Sequence, residues 1–374
     1  MRVAFLSLLA LASCAHTGAS PVADCGAPID GLGPILGPGR MVVLGEFHGS
    51  REVPAFAGAV VCEASKRGPV MVALELRPSE AITAWFSGDD TSKARARVLA
   101  EPQWVGSYQD GRTSVAMLEL LRYLGELRRA GRSVELVLFD DATASQPRDQ
   151  RMAERLLAER AARPLVTSVV LVGNLHARRT PGGPMSPDQR WMATAFVDAG
   201  VPFVSLVARH ATGSSWFCSG PGPETCGPEF VGSPEEPLQA GRIELRPSED
   251  GAYDGLFFPA LTFTASPPAA FPERQARLEN ELAALRHGPG ALRARATRAY
   301  FAGQFQACAD SYRELASPTG ADAYNHACCL ARAGQKDAAL ERLVYALGHG
   351  VPAADARDDE DLASLRTDDR WPAP

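Results

Sequence analysis

Five short apolar runs punctuate the first part of the chain: MVVLG (41–45), VMVALE (70–75), VELVLFD (134–140), SVVLVG (168–173) and PFVSLVA (202–208). They are dominated by Val and Leu with little polar alternation, which predicts strands buried on both faces of a parallel sheet. Helical patterns lie between them. Pro54 opens PAFAGAVVCEASKRG, where proline suits a first helical turn. Met117, Leu120, Leu121, Leu124 and Leu127 mark one face of a helix over about 114–130, and Met152, Leu156 and Leu157 mark another. Strands alternating with helices predict an α/β fold, with a mostly parallel sheet flanked by helices on both faces.

From about 213 to 265 the pattern breaks into turn-rich sequence ending YDGLFFPALTFTASPPAAFP, which predicts an edge hairpin closing the first domain over residues 38–268. Residues 269–374 are rich in Ala, Arg and Leu at helical spacing and predict a small all-α domain. Within it, RAYFAGQFQACADSYRELA and CLARAGQKDAALERLVYALG align at an offset of 31, matching Gly303 with Gly334, Cys308 with Ala339 and Tyr312 with Leu343. Small residues at close-packing positions, with a larger one four further on, resemble tetratricopeptide repeats. That resemblance implies packed helical hairpins that brace the first domain or recruit a protein partner.

The N-terminal stretch MRVAFLSLLALASC has one early positive charge, a short apolar run and then small residues. This reads as a signal peptide over residues 1–13, too short to span a bilayer as a helix. Leu11-Ala12-Ser13-Cys14 resembles a bacterial lipobox, implying lipidation of Cys14 and a lipidated tether and lead-in over 14–37. Ala15 rather than Asp follows, which by similarity to known lipoproteins implies the outer membrane, on its periplasmic or surface face. Export would place the other cysteines where pairing is favoured. Cys218 and Cys226 flank the Gly/Pro-rich SGPGPET and suit a short disulfide loop; Cys25 with Cys62 is a second candidate. Cys328 and Cys329 sit in an Ala-rich helical stretch and read as small core residues.

Hydrophobic content of 45% and charged content of 22% describe a globular protein, and a net charge of −6 without a basic stripe excludes a nucleic-acid partner. Ligands of open parallel sheets bind beyond the carboxyl ends of the strands. Those ends carry Glu46 and His48, Glu75 and Arg77, Asp140 and Asp141, Asn174 and His176, and Arg209 and His210. Arg148 and Asp149 stand where the following helix begins. Singly, each such residue is ordinary strand-end polarity; together, acids and imidazoles from several strands would converge on one cleft.

VVLGEFHGSREVP, ALELRP, FDDATASQPRDQRMAERL and VVLVGNLHARR, in that order, resemble the superfamily of erythromycin esterases, Tiki proteases, TraB proteins and ChaN-type haem-binding lipoproteins. The resemblance covers roughly residues 38–268. It implies an α/β domain whose GExH and GxxHA motifs face one pocket, with Glu46, His48, Glu75, Arg148, Asp149 and His176 as the functional candidates. The ChaN-type pattern reads GExHD, whereas Gly49 stands here in place of that Asp.

A small-molecule ligand or substrate is therefore expected, and three kinds of chemistry remain open. His48, oriented by Glu46 or Glu75, suits a general base acting on an ester or amide while Arg148 or His176 steadies the oxyanion. Glu46, His48 and His176 form a possible set of divalent-metal ligands. His48, His176 or Tyr108 could be an axial ligand in a haem pocket serving uptake or storage. The segment EPQWVGSYQDGRTS (101–114) offers Trp104, Tyr108, Asp110, Arg112 and Ser114 as a lid or specificity wall. No GxSxG elbow is present, which argues against an ordinary serine esterase.

Overall fold

The computed structural model describes residues 24–141, 147–183, 188–210, 212–219, 222, 225–231, 239–271, 288–301 and 303–371. The expected leader and the lipidation site Cys14 lie outside these residues. Among the described residues no helix is long and apolar enough to cross a membrane.

The five apolar runs become β1 (Met41–Glu46), β2 (Val70–Leu74), β3 (Val134–Leu138), β4 (Thr167–Gly173) and β5 (Val204–Ala208). Beyond them come β6 (Thr212–Cys218), β7 (Cys226–Phe230), β8 (Arg242–Glu244), β9 (Gly255–Phe258) and β10 (Thr262–Phe263). Seven strands form one sheet in the order β3-β2-β4-β1-β5-β9-β8. All its pairings are parallel except the antiparallel β8–β9 pair at one edge. β1 lies between β4 and β5 with all six residues buried. Alternate residues serve opposite faces: Val42 and Leu44 join one apolar core, and Met41 and Val43 the other.

Helices α1 (Glu52–Ser65), α2 (Glu80–Ser87) and α5 (Val115–Arg129) cover the first face, with the short α3 (Ser92–Leu99) and α4 (Pro102–Val105) between α2 and α5. The five apolar positions read on the helix near 114–130 are all buried, and Ser114 caps its start by accepting from the Met117 N–H. Helices α6 (Arg148–Ala162) and α7 (Met192–Asp198) cover the second face through Met152, Leu156, Met192 and Phe196. The lead-in also differs from a simple tether. Leu32, Ile35 and Leu36 are buried in the first core, and Cys25 is disulfide-bonded to Cys62 of α1.

The turn-rich stretch divides between two sheets. β8 and β9 close the main sheet, whereas β6 and β7 form a hairpin that pairs with β10 in a separate three-stranded sheet. The Cys218–Cys226 disulfide closes that hairpin at its Cys218↔Cys226 register pair.

Helices α8 (Pro289–Phe301), α9 (Phe305–Arg313), α10 (Gly320–Arg332) and α11 (Lys336–Gly348) pack in succession around a core of their own. Gly303 and Gly334, matched at the offset of 31, both take left-handed turns, at φ 70° and 79°. The matched Cys308, Ala339, Tyr312 and Leu343 are all buried. One expectation is corrected here: Cys329 is not merely a small core residue but is disulfide-bonded to Cys308. Packing of α9 on α10 brings these two residues together across 21 positions of sequence. Cys328 is free and buried.

Candidate active site

The carboxyl ends of the central strands place their polar residues in one cluster. Glu46 ends β1 and His48 follows two residues later, so both side chains project to the same side. His48 Nδ1 lies 2.9 Å from Glu46 Oε1. Register pairs Glu46 with Gly173 at the end of β4, and the Asn174 N–H donates to the Glu46 carbonyl at 2.8 Å. This ties the two motif loops together. Gly173 is a contact point for both imidazoles: a Cβ there would stand 2.9 Å from His48 Nε2 and 3.3 Å from His176 Cδ2. The two histidines therefore approach the same face of this residue, and any side chain at Gly173 would displace one of them.

Glu75, just beyond β2, lies between the rings. Its Oε2 accepts the Gly173 N–H at 2.7 Å and stands 3.5 Å from His48 Nε2, while its Oε1 is 3.8 Å from His176 Nε2. Oε1 also receives Arg148 Nη2. Asp140, beyond β3, receives Arg148 Nε on one oxygen and Arg112 Nη1 on the other, each at 2.8 Å. Arg112 in turn is held by Asp110 through Nε at 2.9 Å and Nη2 at 2.7 Å. Two guanidinium groups are thus interleaved with three carboxylates at the edge of the cluster.

The partners of His176 determine its tautomer. Arg148 Nη1 lies 2.9 Å from Nε2, and a guanidinium can only donate, so Nε2 must present its lone pair. The proton therefore sits on Nδ1, which donates to Asp149 Oδ1 at 2.6 Å. The same oxygen accepts the Met192 N–H at 2.7 Å, anchoring Asp149 between α6 and α7. His48 differs. Among the described residues only its Nδ1 is engaged by a hydrogen bond, and its side chain retains 19% exposure.

Burial and charge set the protonation of the cluster. Burial raises the Glu46 carboxyl above its usual range, against the pull of His48. Burial also opposes charge on His48, but Glu75, Glu46 and Asp110 outweigh it and hold the imidazole above its ordinary value. The Glu46–His48 pair consequently retains a proton to higher pH than an isolated imidazole would. Glu75 behaves oppositely: burial would raise it, yet His48, His176, Arg112 and Arg148 hold it well below the usual carboxylate range. Asp110 is likewise held low, with Arg112 overcoming the effect of burial.

All six residues singled out by their strand-end positions and family resemblance meet here: Glu46, His48, Glu75, Arg148, Asp149 and His176. Asp140 joins them as a strand-end residue. Asp110 and Arg112, read as lid residues, are instead part of the cluster. Their companions separate from it: Trp104 is fully buried, Ser114 caps α5, and Tyr108 is half-exposed. Arg77 is exposed, with its backbone N–H bonded to Gln103, and His210 is buried and stacked on Phe263 at 4.1 Å.

The metal reading does not fit this arrangement. Among the described residues, the ligating atoms of Glu46, His48 and His176 do not gather within 4.8 Å of one another. The Nε2 lone pair of His176 is occupied by Arg148, whose positive charge would also oppose a cation. A haem iron would meet the same obstacle at His176. Gly49 has a structural reason to differ from the Asp of the haem-binding pattern: it lies at φ 76°, and a Cβ there would stand 1.9 Å from the Trp216 carbonyl.

No protein family model matches the chain, and no curated protein matches it. Two solved structures are similar to it. An erythromycin esterase variant in its open conformation has 12% identity and a TM-score of 0.46, with coverage of 63% of this chain and 93% of that one. The type III effector HopBA1 has 15% identity and a TM-score of 0.31, with coverage of 59% and 87%.

Proposed function

We propose that this chain is a hydrolase of ester or amide bonds in which His48 is the general base. The observation that carries the reading is the difference between the two imidazoles. His176 has both ring nitrogens engaged, whereas His48 is oriented through Nδ1 by Glu46, and among the described residues its Nε2, 3.5 Å from Glu75 Oε2, makes no hydrogen bond. With Nδ1–H donated to Glu46, Nε2 takes a proton from water as the water attacks the substrate carbonyl. Arg148 uses three of its five N–H donors on Asp140, Glu75 and His176, leaving others for the oxyanion that forms. The His48 imidazolium then returns its proton to the departing alcohol or amine as the tetrahedral intermediate collapses. Atoms and charge balance without a covalent enzyme intermediate.

The leader-like sequence and Cys14 support placement of the protein as exported and lipid-anchored, and the three disulfides among the described residues suit an oxidising compartment. The test uses p-nitrophenyl esters and the matching p-nitroanilides, with acyl groups of graded size. Hydrolysis by the wild type that disappears in Glu46→Gln/His48→Ala supports the reading. Equal hydrolysis by both proteins contradicts it.

A further inference from the structure

The three-stranded sheet lies against the His48 loop, and its contacts there are specific. Ser215, fully buried in β6, donates its hydroxyl to the His48 carbonyl at 2.5 Å. The next residue, Trp216, donates its backbone N–H to the Gly49 carbonyl at 2.9 Å. Its indole Nε1 donates to the Gln109 carbonyl at 3.1 Å, in the loop that carries Asp110 and Arg112. From the other side, the Ser266 N–H also donates to the Gly49 carbonyl, at 2.7 Å. Two consecutive residues of one strand thus grip both loops from which the cluster draws His48 and Arg112. The hairpin that presents them is closed by Cys218–Cys226, two residues beyond Trp216.

The geometry points to Ser215 and Trp216 as positioning residues, which act through backbone hydrogen bonds to set His48 against Glu46 and to fix its loop relative to Asp110 and Arg112. This deepens the hydrolase reading and rests on it for the catalytic consequence, but the positioning itself can be measured without turnover. The physical basis is the carbonyl of His48. A buried carbonyl that loses its donor must find another partner or turn toward water. A backbone rotation there carries the imidazole with it. Small misplacements of a reacting group are costly, of the order of a hundredfold for about 1 Å.

The charged groups that face the His48 ring are Glu46, Glu75 and Asp110, so the ring's titration reports its position among them. Ser215→Ala and Trp216→Phe would each be compared with the wild type by NMR titration of the His48 ring, thermal unfolding and p-nitrophenyl acetate hydrolysis. We expect the His48 midpoint to fall toward its ordinary value in Ser215→Ala, with kcat reduced about tenfold to a hundredfold and KM unchanged. Ser215→Thr, which restores the hydroxyl, should recover both. Trp216→Phe keeps an aromatic ring, though a smaller one, and removes the indole N–H; it should move the His48 midpoint in the same direction.

An unchanged His48 midpoint in both folded variants would overturn the inference, and so would a lowered melting temperature with midpoint and kcat intact. If Ser215→Ala does not fold, Trp216→Phe decides by the same criteria. If the wild type hydrolyses neither the esters nor the anilides, the hydrolase reading fails separately, and the His48 midpoint still tests the positioning.

Discussion

Arg148 donates a hydrogen bond to Nε2 of His176 at 2.9 Å, and this contact assigns different work to the two histidines of the cluster. The ring that receives the guanidinium has no lone pair left for water, so in the proposed mechanism it aims Arg148 rather than accepting a proton. Arg148→Lys should therefore reduce kcat by roughly 10²–10³-fold, the usual loss for an oxyanion donor, because an ammonium cannot span Asp140, Glu75 and His176 together. Steady-state kinetics check this through kcat and KM measured separately. A rise confined to KM, with kcat unchanged, would assign Arg148 to substrate binding instead.

The pH dependence follows from His48. As a base it must be unprotonated, and the carboxylates around it hold its proton above the ordinary imidazole range. Activity should accordingly rise with pH through a midpoint above the ordinary 6.5. Asp110 contributes to that shift from a distance, so Asp110→Asn should move the acid limb to lower pH. Measured pH–rate profiles of the two proteins give the comparison, and coincident limbs would count against His48 as the titrating base.

Glu46 should trade stability for function. Its raised carboxyl means that the folded state holds the proton more tightly than the unfolded chain does. The associated stability is complete below the unfolded value of 4.5 and is lost as pH rises through the folded value. Glu46→Gln keeps an acceptor for His48 without the buried charge. We expect it to be more stable than wild type by about 1 kcal/mol at pH 9, with no gain at acid pH, and to hydrolyse esters more slowly. Denaturant titration at the two pH values measures the difference.

Glu75 has the opposite sign. Its carboxyl is depressed in the folded state, so its contribution is complete above the unfolded value of 4.5 and is lost as pH falls below it. Glu75→Gln leaves Arg112 and Arg148 short of a buried counter-charge and should cost about 3–5 kcal/mol at neutral pH. Its stability should also fall less steeply than that of the wild type below the unfolded value. Urea unfolding as a function of pH checks both statements.

The parallel strands were legible in the sequence because strands buried on both faces need unbroken apolar runs, and β1 and β4 are buried at every position. Their ends were legible for the same reason: Glu46, Glu75, Asp140 and His176 each stand where such a run stops. Asp110 and Arg112 look like lid residues in the sequence because they enter from a long connection, where no periodicity tells which polar side chain turns inward. Most hidden was the β6–β7–β10 sheet. Its strands read TGSSWFC, CGPEF and TF, without an unbroken apolar run, and its key contacts, such as Ser215 to His48, join positions far apart in the chain. Cys308–Cys329 was hidden in the same way, since helix packing rather than local pattern brings the two sulfurs together.

The claim that His48 is the general base is tested most directly by chemical rescue. His48→Ala should lose roughly 10²–10⁴-fold in p-nitrophenyl acetate hydrolysis, the usual range for a general base. Added imidazole should restore part of the rate, in proportion to the fraction of imidazole that is unprotonated. A His48→Ala protein that hydrolyses the ester at the wild-type rate without imidazole would contradict the account.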